Sequence, residues 1–277
     1  MISSAKPIIT YEEGQQLWRQ NMEASLRSKD GWLTVVGLDW LKQGENIVGS
    51  GSNADVKLPA NSAPELVGMI NFNGQRASFR ALTEERITFN GESNIPAYLQ
   101  DDSTEDGPTL MQIRNVTFFM IRRGVQVGIR IKDADSLALQ NFAGRHWFPV
   151  NIDYQILAKF TAHDKNKLIS IENSIGTLTT ISNPGTVEFD LHGERCVLET
   201  FQETPDQLWL MFRDSTSGDT TYPAARYLKV PFDGGAELTL DFNQAYHPPC
   251  AFTDFATCPF PPRQNWLPVS IQAGERL

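Results

Sequence analysis

The stretch Leu110–Lys132, LMQIRNVTFFMIRRGVQVGIRIK, indicates the fold more clearly than any other part of the chain. It contains three consecutive runs that are rich in β-branched, aliphatic and aromatic residues, which favour strands. In the third run, apolar and polar residues alternate with a period of two, which predicts a strand with one buried face. That face is formed by Val125, Val127, Ile129 and Ile131.

Further short runs of strand-forming residues lie on both sides of this stretch, with turn residues between them. Asn73-Gly74 and Asn90-Gly91 are strong hairpin signals in the first half of the chain. His192-Gly193 predicts a turn between two runs in the second half. Many short strands with frequent turns are typical of β-sandwiches and β-barrels rather than of parallel α/β folds.

One helix precedes the strands. Thr10 and Glu13 have the spacing of a capping box, and apolar residues then recur at helical spacing up to the turn at Asp30-Gly31. The predicted fold is therefore mostly β, with an N-terminal helix followed by two β-rich halves. We expect a helical segment over residues 1–31, a β-sandwich-like half over 32–140, and a β-barrel or sandwich half with long C-terminal loops over 141–277.

Composition excludes several classes of function. The 277 residues include 24 Lys and Arg but 33 Asp and Glu, which gives a net charge of −9. An acidic chain without basic clusters does not fit nucleic-acid binding or attachment to anionic membranes. The sequence has no apolar run long enough to span a bilayer, and residues 1–10 lack the apolar core of a signal peptide. The expected location is the cytoplasm, and the oligomeric state is open.

Common catalytic motifs are absent from the sequence. It contains no G-x-S-x-G nucleophile elbow, no Walker loop and no G-x-G-x-x-G, so no cofactor is predicted. His247, Cys250 and Cys258 lie within twelve residues and could supply three zinc ligands, or the two cysteines could form a disulfide. Structural zinc usually has four ligands, and a cytoplasmic chain keeps its thiols reduced. We therefore predict buried reduced thiols and no metal.

A polar region from Phe212 to Glu275 is the best candidate for a functional site. It is too polar for a core and has little strand pattern, and long ordered loops of this kind are often functional. The alternative is a structural brace in which Asp214, Arg226 and Asp241 form buried ion pairs. Both interpretations stay open at the level of sequence.

These residues resemble a widespread bacterial family, domain of unknown function family 1684. The resemblance rests on F-x-D-x-T-x-G-x-x-T-Y at Phe212–Tyr222, D-F-N-x-A-Y-x-P-P-C-A at Asp241–Ala251 and C-P-x-P-P at Cys258–Pro262. In the first half it includes W-L-x-L-x-G-L-x-W-L at Trp32–Leu41, G-x-N-x-x-G at residues 44–49 and Leu58-Pro59. His247 stands where the family usually has Asn. The resemblance implies no activity.

The segment from Gly44 to Phe79 also resembles, more weakly, a forkhead-associated (FHA) domain. Those β-sandwiches bind phosphothreonine through an Arg that follows the second glycine, and Ser50 occupies that place here. The resemblance implies a sandwich architecture without the phosphate-binding residue.

These observations favour an enzyme or small-ligand binder whose pocket is lined by the C-terminal motif loops and recognises an anionic small molecule. Arg226 is the expected anchor, because a guanidinium binds carboxylate or phosphate with two hydrogen bonds. The candidate catalytic residues are Asp214 and Asp241, either of which could act as general base or orient Arg226, and His146. The other candidate ligand-binding residues are Tyr222, Asn243 and Tyr246. The alternative function is a protein-interaction module with an FHA-like sandwich and purely structural C-terminal loops.

Overall fold

The structure is a computed structural model that describes residues 9–277, apart from the side chains of Asn166 and Glu203. Residues 1–8 belong to the predicted helical segment and to the stretch for which no signal peptide was expected, and they lie outside the described residues. The chain forms two compact units. The N-terminal unit consists of Leu26–Phe142 and Phe252–Thr257, and the C-terminal unit of residues 9–25, Ala143–Ala251 and Cys258–Leu277. The domain boundaries drawn from the sequence stay a prediction.

The first helix, α1, spans Tyr11–Arg27. It begins with the predicted capping box, because the Thr10 N–H donates to Glu13 Oε2 (2.7 Å) and the Glu13 N–H donates to Thr10 Oγ1 (3.2 Å). Within the C-terminal unit, the indole of Trp18 contacts that of Trp147 edge to face, with ring centroids 5.5 Å apart. No helix in residues 9–277 has both the length and the apolar character needed to cross a bilayer.

The N-terminal unit contains nine strands and one short helix. They are β1 (Val35–Trp40), β2 (Gly44–Gly49), β3 (Val56–Lys57), β4 (Gly68–Phe72), β5 (Ala77–Ala81), β6 (Thr88–Phe89), β7 (Met111–Ile113), β8 (Val116–Arg123), β9 (Gln126–Asp133) and α2 (Leu137–Asn141), after a 3₁₀ turn at Trp32–Thr34. One sheet has the order β1-β9-β8-β7-β6 and the other β3-β2-β4-β5. All strand pairs are antiparallel except β2 with β3.

These two sheets share one apolar core. Phe79 of β5 lies 6.4 Å from Phe118 of β8, measured between ring centroids. Ile70 and Ile129, which belong to opposite sheets, are fully buried in the same cluster. Sheets that pack face to face through such residues form a β-sandwich.

In the hairpin of β8 and β9, one residue of the predicted buried face is exposed. Val127, Ile129 and Ile131 form the predicted buried face, but Val125 is 93% exposed. Gly124 adopts a positive φ of 60° and places Val125 in the turn, before β9 begins at Gln126. The alternation of residue types therefore extends one residue beyond the strand itself.

The C-terminal unit contains the remaining strands. They are β10 (His146–Trp147), β11 (Gln155–Glu172), β12 (Leu178–Leu191), β13 (Glu194–Glu199), β14 (Phe201–Thr204), β15 (Gln207–Phe212), β16 (Arg226–Pro231), β17 (Glu237–Asp241) and β18 (Glu275–Arg276). Its 3₁₀ turns are Ile152–Tyr154, Phe242–Gln244, Pro249–Ala251 and Arg263–Asn265. The described strands form three open sheets, β13-β12-β11-β17, β14-β15-β16 and β10-β18, rather than a closed barrel.

Two strands are longer than the sequence indicates. The residue types predict separate strands at Asp153–Thr161 and Leu168–Glu172, which merge into β11, and at Gly176–Ile181 and Thr186–Leu191, which merge into β12. A register shift between Ala162 and Lys167 absorbs the polar residues between the two runs of β11. The predicted turn at His192-Gly193 joins β12 to β13, with positive φ at both residues. The prediction of a mostly β fold with an N-terminal helix and two β-rich halves is confirmed.

Candidate functional site

The predicted site residues lie on irregular loops of the C-terminal unit or on strands of that unit. Asp214, Tyr222, Asn243 and Tyr246 lie on the loops, whereas His146, Arg226 and Asp241 lie on β10, β16 and β17. One loop, residues 213–225, connects β15 to β16, and the other follows β17 through three 3₁₀ turns to the chain end. These loops carry most of the buried polar side chains of the unit. Buried polar groups need hydrogen-bond partners, so their partners show what each group does.

Asp214 and Arg226 form an ion pair in the interior, between Asp214 Oδ2 and Arg226 Nη2 (3.1 Å), and both side chains are fully buried. The guanidinium also donates to the carbonyls of Ala273 (2.6 Å) and Ile271 (2.8 Å). The carboxylate accepts hydrogen bonds from the Ile271 N–H (2.7 Å) and from Thr216 Oγ1 (2.8 Å). The pair therefore holds the C-terminal tail against the β15–β16 loop, which is the geometry of a structural brace.

Burial lowers the pKa of Arg226, and the adjacent Asp214 carboxylate opposes that change. A guanidinium remains charged in proteins, so the interior holds a real ion pair rather than two neutral groups. The donors that would face a ligand are used by protein carbonyls and by Asp214. This geometry favours the structural alternative for Arg226 over the role of ligand anchor.

A second buried network was not predicted. Arg145 Nη1 contacts Glu275 Oε2 at 2.5 Å, and the same oxygen accepts the His247 N–H at 2.7 Å. His247 Nε2 accepts a hydrogen bond from the Tyr222 N–H (3.1 Å), so its proton resides on Nδ1, which lies 3.8 Å from Glu275 Oε1. All three charged or titratable side chains are at most 5% exposed.

The titration of this network is strongly shifted. Burial lowers the pKa of His247 to about 3, with a further contribution from the charges of Arg226 and Arg145. Burial also raises the pKa of Glu275 to about 7, although the charge of Arg145 and the His247 N–H act in the opposite direction. At neutral pH His247 is therefore a neutral hydrogen-bond acceptor for Tyr222 and not a general acid.

Asp241 and Asn243 belong to a third group, at the end of β17. The Asp241 carboxylate accepts hydrogen bonds from Tyr11 Oη (2.9 Å) and from Gln15 Nε2 (2.6 Å), both on α1. The Asn243 amide donates to Asp241 Oδ1 (3.0 Å) and to the carbonyl of Asn151 (2.8 Å). Burial, together with the hydrogen bond to Asp241, raises the pKa of Tyr11 well above its ordinary value. These contacts anchor the helix to the end of the strand.

The other predicted residues are distributed around these groups. The half-buried Tyr222 donates from its hydroxyl to the carbonyl of Cys250 (2.8 Å), and Tyr246 pairs through its backbone with Tyr227. His146 is exposed on β10. In the described part of the chain, no hydrogen bond or ion pair joins Asp214 or Arg226 to Asp241 or Asn243. The seven predicted residues thus occupy several places in the C-terminal unit.

The residues considered for zinc have other partners. His247 Nε2 is bound to the Tyr222 N–H, and Cys258 Sγ accepts the Cys250 N–H at 3.2 Å. Residues 9–277 contain no group of three His, Cys, Asp or Glu side chains arranged to hold a metal ion. All three cysteines of the chain are free thiols.

An exposed aromatic site lies close to the same loops. The guanidinium of Arg213 lies 4.2 Å from the ring centroid of Trp266, and that of Arg263 lies 4.0 Å from it. Trp266 is 40% exposed. The indole lines a pocket of about 170 Å³ together with Arg213 and three further residues; these are Ala224, Phe260 and Pro261. We call this the Trp266 pocket.

Asn265 fixes the turn that presents the Trp266 pocket. Its fully buried side chain accepts the Glu199 N–H (2.8 Å) and donates to the carbonyls of Glu199 (2.9 Å) and Met211 (2.8 Å). The backbone of Arg213 pairs with residues 265 and 267 on either side of Trp266. The pocket therefore stands on an ordered frame, although Arg213 and Arg263 were not recognised in the sequence.

The C-terminal unit is thus a β-rich domain whose polar groups are concentrated in its motif loops. Residues 140–276 match the family described as "Protein of unknown function (DUF1684)". This region of the chain belongs to the family. The motifs quoted for the family at Trp32–Leu41 and Leu58-Pro59 lie outside the matched residues.

Solved structures add three similarities. An uncharacterized protein of Haloarcula marismortui is 36% identical over 50% of this chain and 78% of its own, with a TM-score of 0.43. The FHA domain of FhaA, in complex with the intracellular domain of Rv3910, is 19% identical over 34% of this chain and 97% of its own, with a TM-score of 0.25. A third structure, an FHA domain studied for its phosphothreonine-dependent interactions, is 20% identical over 36% of this chain and 96% of its own, again with a TM-score of 0.25.

The resemblance to FHA domains is confirmed as a weak one, and similarity at this level carries no functional inference. A search of curated protein sequences finds no match. Function must therefore be inferred from the geometry of this chain.

Proposed function

We propose that the protein binds a small organic anion with an apolar body, and that the ligand occupies the Trp266 pocket. The observation that carries the proposal is the placement of two guanidinium groups, Arg213 and Arg263, on one exposed indole beside an apolar pocket. This keeps the anionic ligand predicted from the sequence but assigns it to different residues. Arg226 then serves as a brace behind the loops.

The two guanidiniums have donors available for an anion. Among residues 9–277, neither Arg213 nor Arg263 forms an ion pair or a side-chain hydrogen bond. A guanidinium that stacks on an aromatic ring keeps the N–H groups at its edge free, so it can bind a carboxylate in its own plane. On a chain with a net charge of −9, this is a local concentration of positive charge.

The size of the pocket limits the apolar part of the ligand. A cavity of about 150 Å³ accommodates benzene in another protein, so the Trp266 pocket, at about 170 Å³, can hold a group of the size of one ring. Phe260 and Pro261 supply apolar surface for that group. The preferred ligand class is therefore a monocarboxylate or a similar anion attached to a short aliphatic chain or a single ring.

Benzoate, compared with its neutral analogue benzamide, tests the proposal. We expect benzoate to bind with a Kd of about 1 mM, a usual affinity for a ligand of this size, and benzamide to bind about tenfold more weakly. The double variant R213A/R263A should lose about tenfold in affinity for benzoate and clearly less for benzamide, because it removes the charge recognition of benzoate but only part of the pocket lining that both ligands contact. Ligand-observed NMR measures the affinity of each ligand for the unmodified chain and for the variant.

The control is Arg76→Ala, because Arg76 also stacks on an aromatic ring, that of Tyr98, but lies in the N-terminal unit. R76A should bind benzoate as the unmodified chain does. Equal binding of benzoate and benzamide, or undiminished benzoate binding by R213A/R263A, would refute the proposal. That outcome would favour the alternative of a protein-interaction module with purely structural C-terminal loops. The catalytic roles of Asp214, Asp241 and His146 stay predictions.

A further inference from the structure

The two cysteines of the C-terminal loop lie next to each other in space. Cys250 and Cys258 are eight residues apart, and the Cys250 N–H donates to Cys258 Sγ at 3.2 Å. The Cys258 N–H in turn is held by Ser174 Oγ (3.2 Å), and the carbonyl of Cys250 by the hydroxyl of Tyr222 (2.8 Å). Both cysteines are thus fixed from their backbones, and their two thiols form a hydrogen bond with each other.

The two thiols differ in their environments. Cys250 is half-buried, and the hydrogen bond from the Cys258 thiol lowers its pKa, with a smaller contribution from Tyr222. Cys258 is buried, and the same interaction together with burial raises its pKa far above the ordinary value. Cys250 is the thiol that an external oxidant can reach, and the buried Cys258 sulfur lies beside it, where it can resolve the product.

We propose that Cys250 and Cys258 form a reversible disulfide when a hydroperoxide oxidises Cys250. The Cys250 sulfur attacks the terminal oxygen of the peroxide, the O–O bond breaks, and Cys250 becomes a sulfenic acid while water or an alcohol leaves. The Cys258 sulfur then attacks the sulfenic sulfur, and the hydroxyl leaves as water with the Cys258 proton. Overall, two thiols and one hydroperoxide give one disulfide, one water, and a second water or an alcohol.

The disulfide would close a ring at a defined point of the chain. The segment Phe252–Thr257, between the two cysteines, belongs to the N-terminal unit. In that unit Thr253 Oγ1 donates to the carbonyl of Val35 (3.0 Å), and Thr257 Oγ1 accepts from Arg123 Nε (2.8 Å). Oxidation would therefore link the two ends of a segment that is already held near each end by hydrogen bonds of Thr253 and Thr257.

Peptide mass spectrometry of the folded chain tests the proposal. Trypsin releases both cysteines in one peptide, residues 230–263, and Cys196 in another, residues 196–213. After brief treatment of native protein with hydrogen peroxide and blocking of free thiols, we expect the first peptide to be two hydrogens lighter and unblocked. Dithiothreitol should restore two blockable thiols, and the Cys196 peptide should be blocked throughout.

Single variants test which thiol reacts with the peroxide and which one resolves the sulfenic acid. C258S should accumulate a sulfenic acid on Cys250, and C250S should react with peroxide about tenfold more slowly than the unmodified chain. C196S is the matched control and should form the disulfide at the normal rate, because Cys196 is buried on β13 and its burial raises the pKa of the thiol.

The experiment on the unmodified chain can refute the proposal by itself, even if a variant does not fold. Peroxide treatment that leaves both thiols of peptide 230–263 blockable would do so. A sulfinic acid on Cys250 in place of the disulfide, or a cross-link to the Cys196 peptide, would also contradict it.

Discussion

Replacing Arg226 by methionine should lower the free energy of unfolding by about 3–5 kcal/mol, because the Asp214 carboxylate would stay buried without its cation. The carbonyls of Ile271 and Ala273 would also lose their donor. For a chain of this size, the loss corresponds to a decrease in Tm of about 6–20 °C. Thermal and urea unfolding, followed by circular dichroism, measure both quantities.

Two further variants show whether the ion pair is the cause. The double variant R226M/D214L should recover part of the stability, since replacing both charges by apolar groups removes the unpaired carboxylate. Arg195→Met disrupts an exposed pair with Glu188 in the same unit and should change the stability very little. If R226M unfolds like the unmodified chain, Arg226 does not brace the loops, and its role as ligand anchor becomes the better explanation.

A second large effect concerns pH. His247 has its folded pKa, about 3, below the ordinary value of 6.5, so its contribution to stability is complete above pH 6.5 and is lost as the pH falls toward 3. Glu275 has its folded pKa, about 7, above the ordinary value of 4.5, so its contribution is complete below pH 4.5 and is lost as the pH rises through 7. Between pH 4.5 and 6.5 the two contributions change in opposite directions and largely cancel.

The variant His247→Asn should remove this compensation. The Asn side chain is too short to replace Nε2 as the acceptor of the Tyr222 N–H, which lowers the stability equally at every pH, and it does not titrate. The free energy of unfolding of H247N, relative to that of the unmodified chain, should therefore fall with rising pH by about 2–3 kcal/mol between pH 4.5 and 6.5, at about 1.4 kcal/mol per pH unit. Urea unfolding at half-unit pH steps measures the difference.

Glu275→Gln provides the complementary measurement. Relative to the unmodified chain, its stability should rise with pH over the same range, because only the His247 contribution remains. Parallel profiles for all three proteins would mean that neither side chain has the shifted pKa assigned to it.

Local features of the fold were predictable from the sequence, and contacts between distant residues were not. The helix start at Thr10 and Glu13 and the turn at His192-Gly193 depend on residues that are close in sequence. The error at Val125 arose because a pattern of residue types does not show where a turn with positive φ begins. The periodicity of residue types predicts only structure formed by residues that are close together in the sequence.

The contacts of the candidate site residues could not be predicted from the sequence either, because they join distant parts of the chain. The motif around Asp214 and Arg226 could be recognised as a unit, but whether it faces a ligand or the interior depends on Ile271 and Ala273, some 45 residues later. Arg145 and Glu275 are 130 residues apart, and no local signal connects them. The Trp266 pocket was missed for this reason as well, since Arg213 and Arg263 meet only through the fold.

The contact between α1 and Asp241 can form only late in the synthesis of the chain. Tyr11 emerges from the ribosome early, whereas the carboxylate that it binds is added 230 residues later. At about 5–20 residues per second, this delay is roughly 10–50 s. During that time the helix lacks its partner strand, while residues 26–142 are already complete. The attachment of α1 to the end of β17 is therefore one of the last contacts that the C-terminal unit can form.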